Sequence, residues 1–240
     1  FSFIAIADDH ETPEYKYEPD WNKAEYYIGN FNDNKDINDL AAWYGKFAKW
    51  AEGQGDTYDS MTVALLQPYF HSDMSSVDVM WVNTWPTPVA QFQGMETWIT
   101  GGGPKLLESL PVTNSRQVDT WQWAISAPDG ERDIGAVRFA DCKMKEGVNG
   151  NQVFDAYKDF AIAAKKTGDN LGRKMIFPGP GATEGDYDYV YSLYARTVEE
   201  LGVGADNYWQ NINGSKEDQA LNELIDSCSN YRIYITEQIF

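Results

Sequence analysis

Histidine, cysteine and positive charge are all scarce in this 240-residue chain, and each shortage removes a class of function. The two histidines, His10 and His71, form no HxxxH or HExxH pair, so no zinc or other histidine-held metal is expected. Two histidines also support few Ser-His pairs, and no GxSxG elbow is present. Lys and Arg total 19 against 37 Asp and Glu, a net charge of −18. A surface of that sign repels phosphate backbones, which argues against nucleic acid as a partner. No apolar run approaches the roughly 18 residues of a spanning helix, so no membrane span is expected. Phosphate cradles are missing too. Gly101-Gly-Gly103 is not followed by the Lys-Ser/Thr pair of a P-loop, and the prolines of Pro178-Gly-Pro-Gly181 remove backbone donors. The stretch Asn32–Asp36 resembles a calcium loop but lacks its glycine and its distal glutamate. None of these patterns asks for a cofactor or a metal.

The two cysteines, Cys142 and Cys228, are too few for a disulfide scaffold. They form either one bridge or two inert buried thiols. Residues 1–7 are mostly apolar and end in Ala-Ile-Ala before Asp8-Asp9. That is the small-x-small pattern of a signal-peptidase site, and a plain N-terminal strand is the other reading. Asn213-Gly-Ser215 matches a glycosylation acceptor. With the acidic surface, these features suggest a secreted or periplasmic protein.

What the chain does contain is an internal echo. Residues 34–56 align without a gap onto 147–169, with seven identities in 23, Tyr44/Tyr157 and Phe47/Phe160 among them. Downstream, Pro68 meets Pro178 and Asp78 meets Asp188 at an offset shorter by three. The difference falls in a loop, where length changes cost little. The chain reads as an N-terminal segment, 1–21, and two copies of one unit, 22–126 and 133–240, joined by the turn-rich link 127–131.

Within each copy the expected order is strand, helix, strand, strand, helix, strand. In the first copy strands are predicted over 24–28, 61–67, 77–85 and 118–125, with helices over 37–52 and 88–99. In the second copy strands are predicted over 134–141, 174–177, 187–194 and 231–235. Val153, Phe154, Tyr157, Phe160, Ala161 and Ala164 recur at helical spacing. A second helix is expected to stop at Gly202-Val-Gly204, and an extra helix to run over 216–227. This βαββαβ order is the ferredoxin-like arrangement, an α+β class in which helices cover one sheet face. Two copies can bury their bare faces against each other.

The duplicated order resembles the dimeric α+β barrel superfamily, which includes antibiotic-biosynthesis-type monooxygenases and stress-responsive barrel proteins. The patterns Cys142-Lys-Met-Lys-Glu-Gly147 and Asp78-Val-Met-Trp-Val-Asn-Thr-Trp-Pro86 are similar to uncharacterised secreted proteins of marine bacteria with this organisation. In such a sheet the first and fourth strands are antiparallel neighbours. That places Cys142, at the end of one, beside Cys228, just before the other, and favours a disulfide. Some barrel relatives bind haem, which makes His71 a conceivable haem ligand beside its plainer reading as a loop histidine.

Aromatic residues supply the candidate site, with nine Trp and 15 Tyr. Trp81, Asn83 and Trp85 alternate and so share one strand face, expected to look into the interface between the halves. Tyr191 is the counterpart of Trp81. The resemblance casts Trp81, Asn83 and Arg116 as stabilisers of a substrate enolate and peroxide, and a plain aromatic core is the competing reading. Trp43 and Trp50, matched by Ala156 and Ala163, suggest an aromatic face for self-association. The leading expectation is a non-catalytic binding or assembly protein with room for a small-molecule ligand. The alternative is a cofactor-independent monooxygenase-like enzyme acting on an aromatic or polyketide-like molecule.

Overall fold

A computed structural model describes residues 15–131 and 134–240, so His10 and the possible signal remnant at 1–7 lie outside it. Eight antiparallel strands close into a barrel in the order β1-β3-β2-β8-β5-β7-β6-β4. The first half holds β1 (Asp20–Phe31), α1 (Ile37–Ala51), β2 (Thr62–Phe70), β3 (Val79–Trp85), α2 (Pro88–Thr100) and β4 (Val112–Ser126). The second holds β5 (Gly135–Met144), α3 (Gly150–Lys166), β6 (Gly172–Pro178), β7 (Tyr189–Ala195), α4 (Val198–Asn207), α5 (Lys216–Asn222) and β8 (Ile225–Gln238). Among the described residues no helix is long and apolar enough to cross a membrane.

The helix starts repeat their chemistry between halves. Asp36 caps α1 in a capping box with Asp39, and Asn149 caps α3 in one with Gln152. Thr87 and Thr197 accept from the third backbone N–H beyond them and cap α2 and α4. Strand alternation then sorts the apolar side chains into layers. Leu66, Met80 and Val82 from the first half meet Val137, Phe139 and Val190 from the second inside the barrel. Val63, Leu65, Val79, Trp81 and Trp85 face outward onto α1. Ala140, Cys142, Met175 and Tyr189 face outward onto α3.

The two sheets do more than stack. β2 pairs with β8, and β4 with β6, so the open edges of each half are closed by hydrogen bonds to the other. Two boundary expectations also change. α4 runs through Gly202–Gly204 instead of stopping there, because Gly204 marks a close approach: a Cβ would sit 2.2 Å from Leu171 Cδ1. Its partner position in α2, Gly94, lies under the Trp85 ring in the same way, at 2.3 Å. The extra helix ends at Asn222, and β8 begins at Ile225. Cys228 therefore lies inside the strand, in register with Cys142 at a Cα separation of 4.1 Å, and the two form a disulfide. Bridging 86 positions stabilises by about 4 kcal/mol in the chain-entropy account.

Candidate active site

Trp81, Asn83 and Trp85 do share a strand face, but it is the outer one. Val82 and Met80 take the barrel interior, while Trp81 and Trp85 pack under α1. The expectation that this face looks between the halves is corrected, and the reason is phase: the smaller aliphatic residues fill the barrel, leaving the indoles for the wider helix layer. Between this face and the helices lies a cavity of about 320 Å³, the size of a small aromatic ligand.

Its walls are aromatic and its polar groups few. Tyr27 stacks on Trp81 at 5.1 Å with 4° between the rings. Glu25, two residues before Tyr27 on β1, enters the same cavity and is in register with Asn83. The Glu25 carboxylate accepts from the Tyr27 hydroxyl at 3.1 Å, from Asn83 Nδ2 at 3.4 Å and from Gln91 Nε2 at 3.0 Å. Gln91 Nε2 also donates to Asp119 Oδ1 at 2.9 Å, and Lys23 Nζ donates to Asp119 Oδ2 at 2.7 Å. Lys23 is thus neutralised one carboxylate away from Glu25. Burial, and after it the nearby Glu25, pushes the Tyr27 hydroxyl far above the usual tyrosine range. Burial does the same to Tyr44. Both stay protonated and act as donors. Trp85 Nε1 is buried in this wall with no hydrogen-bond partner.

Arg116 does not join them. It is exposed on β4 and lines a separate cavity of about 450 Å³ at the barrel mouth, together with His71. Arg116 is in register with Ile28 and shares its strand face with Val118 and Thr120, all lining that cavity, so alternation along β4 turns it away from the Trp81 face. His71 Nδ1 lies 3.0 Å from the Asp73 carbonyl and 3.1 Å from its backbone N, and the ring meets Tyr234 edge-on. Tyr191 belongs to a third cavity, on the outer face of the second half, of about 1150 Å³. Among the described residues no histidine lines that cavity, and His71 belongs to the barrel mouth, so these residues do not fit a histidine-ligated haem there. Among the described residues no cluster of three His, Cys, Asp or Glu could hold a metal ion.

Trp43 and Trp50 are corrected as a docking face. Trp43 is buried and donates its Nε1 to the Leu106 carbonyl at 2.9 Å. Trp50 is half-buried, donates to the Gly101 carbonyl, and packs on Phe47, Tyr58 and Trp98. The helix-spaced tryptophans point inward because α1 presents its apolar side to the sheet.

Sequence reasoning missed Glu25, Tyr27, Tyr44 and Gln91. A glutamate two residues from a tyrosine inside a strand was a usable signal, since period-two alternation puts both on one face. It was masked by the many acidic residues that sit in solvent.

No protein family's sequence profile matches the chain, and no curated protein matches it. Solved structures do. Three chlorite dismutase chains from Candidatus Nitrospira defluvii align with it, each over 93% of this chain and 93% of theirs. An arginine-to-lysine variant gives 10% identity and a TM-score of 0.51. A tryptophan-to-phenylalanine variant in complex with cyanide gives 11% and 0.52, and a tryptophan-to-valine variant 12% and 0.52. The likeness is one of fold, and it agrees with the α+β barrel architecture that the element order suggested. It also corrects the leading expectation of a non-catalytic binding or assembly protein: the solved structures named here that share this architecture are chlorite dismutases.

Proposed function

We propose that the protein is an enzyme that oxygenates an aromatic, polyketide-like small molecule in the first-half cavity without a cofactor, with dioxygen as the oxidant. The observation that carries this reading is the Glu25 carboxylate, held by Tyr27, Asn83 and Gln91 in a cavity walled by aromatic rings. Glu25 takes a proton from an activated CH₂ of the substrate. The carbanion's electron pair forms the C–O bond to dioxygen. The peroxide takes that proton back from Glu25, and the resulting hydroperoxide loses water and leaves a carbonyl, so one oxygen atom enters the product and the other leaves as water. Tyr27, Asn83 and the unpartnered Trp85 Nε1 supply donors for the developing negative charge.

Two further proposals accompany it. The halves 22–126 and 133–240 are copies of one ferredoxin-like unit, supported by the matched helix caps and the equal lengths of β3 and β7. The protein is secreted or periplasmic, supported by the disulfide.

The test of the main reading is dioxygen uptake with dithranol, an anthrone with an acidic CH₂ flanked by two rings. Wild-type protein is expected to accelerate uptake and yield the quinone, and Glu25→Gln to slow it by about 10²-fold or more with the fold intact. No acceleration by the wild type, or full activity in Glu25→Gln, overturns the reading.

A further inference from the structure

The second half carries less aromatic bulk than the first at matching positions. Seven residues beyond the helix cap stands Trp43 on α1 but Ala156 on α3; fourteen beyond stand Trp50 and Ala163. The last residue of β3 is Trp85, and that of β7 is Ala195. The cavity on this half encloses about 1150 Å³, against about 320 Å³ on the first, and its walls are largely apolar.

The charge at its floor is reversed as well. Glu25 is in register with Asn83, the fifth residue of β3, and Arg138 is in register with Leu193, the fifth residue of β7. Arg138 lines the cavity, and its Nε is buried with no hydrogen-bond partner. Among the described residues no carboxylate forms an ion pair with it; it lies over the Tyr231 ring, at 5.9 Å, and acts electrostatically on Tyr191 and Tyr208. The other charged groups of the cavity are already engaged or lie outside its depth. Arg173 is held on both terminal nitrogens by Asp169, at 2.9 and 2.8 Å. Asp218 accepts from the Tyr208 hydroxyl and from Gly214 N. Asp226 is exposed at the rim. Around the mouth Phe70, Tyr231 and Trp209 are 64%, 59% and 70% exposed, an apolar rim on an otherwise acidic protein.

A half-buried guanidinium without a carboxylate partner, its Nε buried in the wall of a largely apolar cavity, calls for one anionic group on an apolar body. We propose that this cavity binds an apolar monocarboxylic acid, with Arg138 holding the carboxylate and the aromatic rim receiving the hydrocarbon.

The test is fluorescence titration of the full chain with cis-parinaric acid and with its methyl ester. The acid is expected to bind saturably and the ester about tenfold or more weakly, since a charge-assisted bond is lost. Arg138→Gln is expected to bring the acid down to the ester's affinity, and Arg138→Lys to recover part of it. Equal affinity of acid and ester, an unchanged affinity in Arg138→Gln, or no saturable binding of the acid overturns the proposal. The acid-against-ester comparison needs only wild-type protein, so it decides the matter even if Arg138→Gln fails to fold. Dithranol turnover does not enter this readout, so the two proposals fail separately.

Discussion

The buried Tyr44 hydroxyl on α1 donates to Asn83 Oδ1 on β3 at 3.1 Å. That bond fixes which way the Asn83 amide points. With its oxygen held by Tyr44, its Nδ2 must face Glu25. Helix and strand together orient the donor that the proposed chemistry needs.

Tyr44→Phe removes that constraint. The cost in stability is expected to be about 1 kcal/mol, because Asn83 Oδ1 loses its partner. Dithranol turnover is expected to fall further than stability does, since the amide becomes free to turn. Urea denaturation and oxygen uptake on the same preparation check both; a wild-type rate would remove Asn83 orientation from the mechanism.

Trp81 is 3% exposed and carries Tyr27 stacked on one side and Tyr44 edge-on to it. Trp81→Ala is expected to destabilise the fold by roughly 3–5 kcal/mol. Chemical denaturation measures it. A loss below about 1 kcal/mol would mean that the indole lines empty space and supports little of the surrounding packing.

Alkaline pH is expected to unfold the protein in one step with tyrosine ionisation. Burial raises Tyr26, Tyr27, Tyr44, Tyr157 and Tyr189 above the ordinary range. A folded-state value above the unfolded one means that the fold favours the neutral hydroxyl. The stabilisation is fully present below the unfolded value of about 10 and is lost as pH rises above it. Tyrosinate absorbance and circular dichroism, followed together, test this. Part of the 15 tyrosines should ionise only as the dichroism collapses; complete ionisation with the dichroism intact would contradict it.

Much of the scaffold was legible from periodicity. The helix expected over 37–52 is present over Ile37–Ala51, with Leu40, Trp43, Tyr44 and Phe47 on its buried side. The β7 strand follows from its aromatic and β-branched run, and the Cys142–Cys228 bridge from strand adjacency. The strand face of Trp81 and Asn83 was legible too, but not the layer it meets. Alternation says which side chains travel together and is silent on which side is the barrel. Arg116 illustrates the same limit: it shares its strand face with Val118 and Thr120, and that face looks into another cavity.

The sequence by itself determined the element order, the acidic surface and the scarcity of histidine, because these rest on neighbours within a few residues or on composition alone. Only the tertiary structure decided that Glu25 meets Asn83 and Gln91, that Arg138 is left without a carboxylate, and that one half encloses about 320 Å³ and the other about 1150 Å³. Those outcomes depend on side chains far apart in the chain being brought within a few ångströms of one another by strand register and helix packing, and no local pattern encodes such distances.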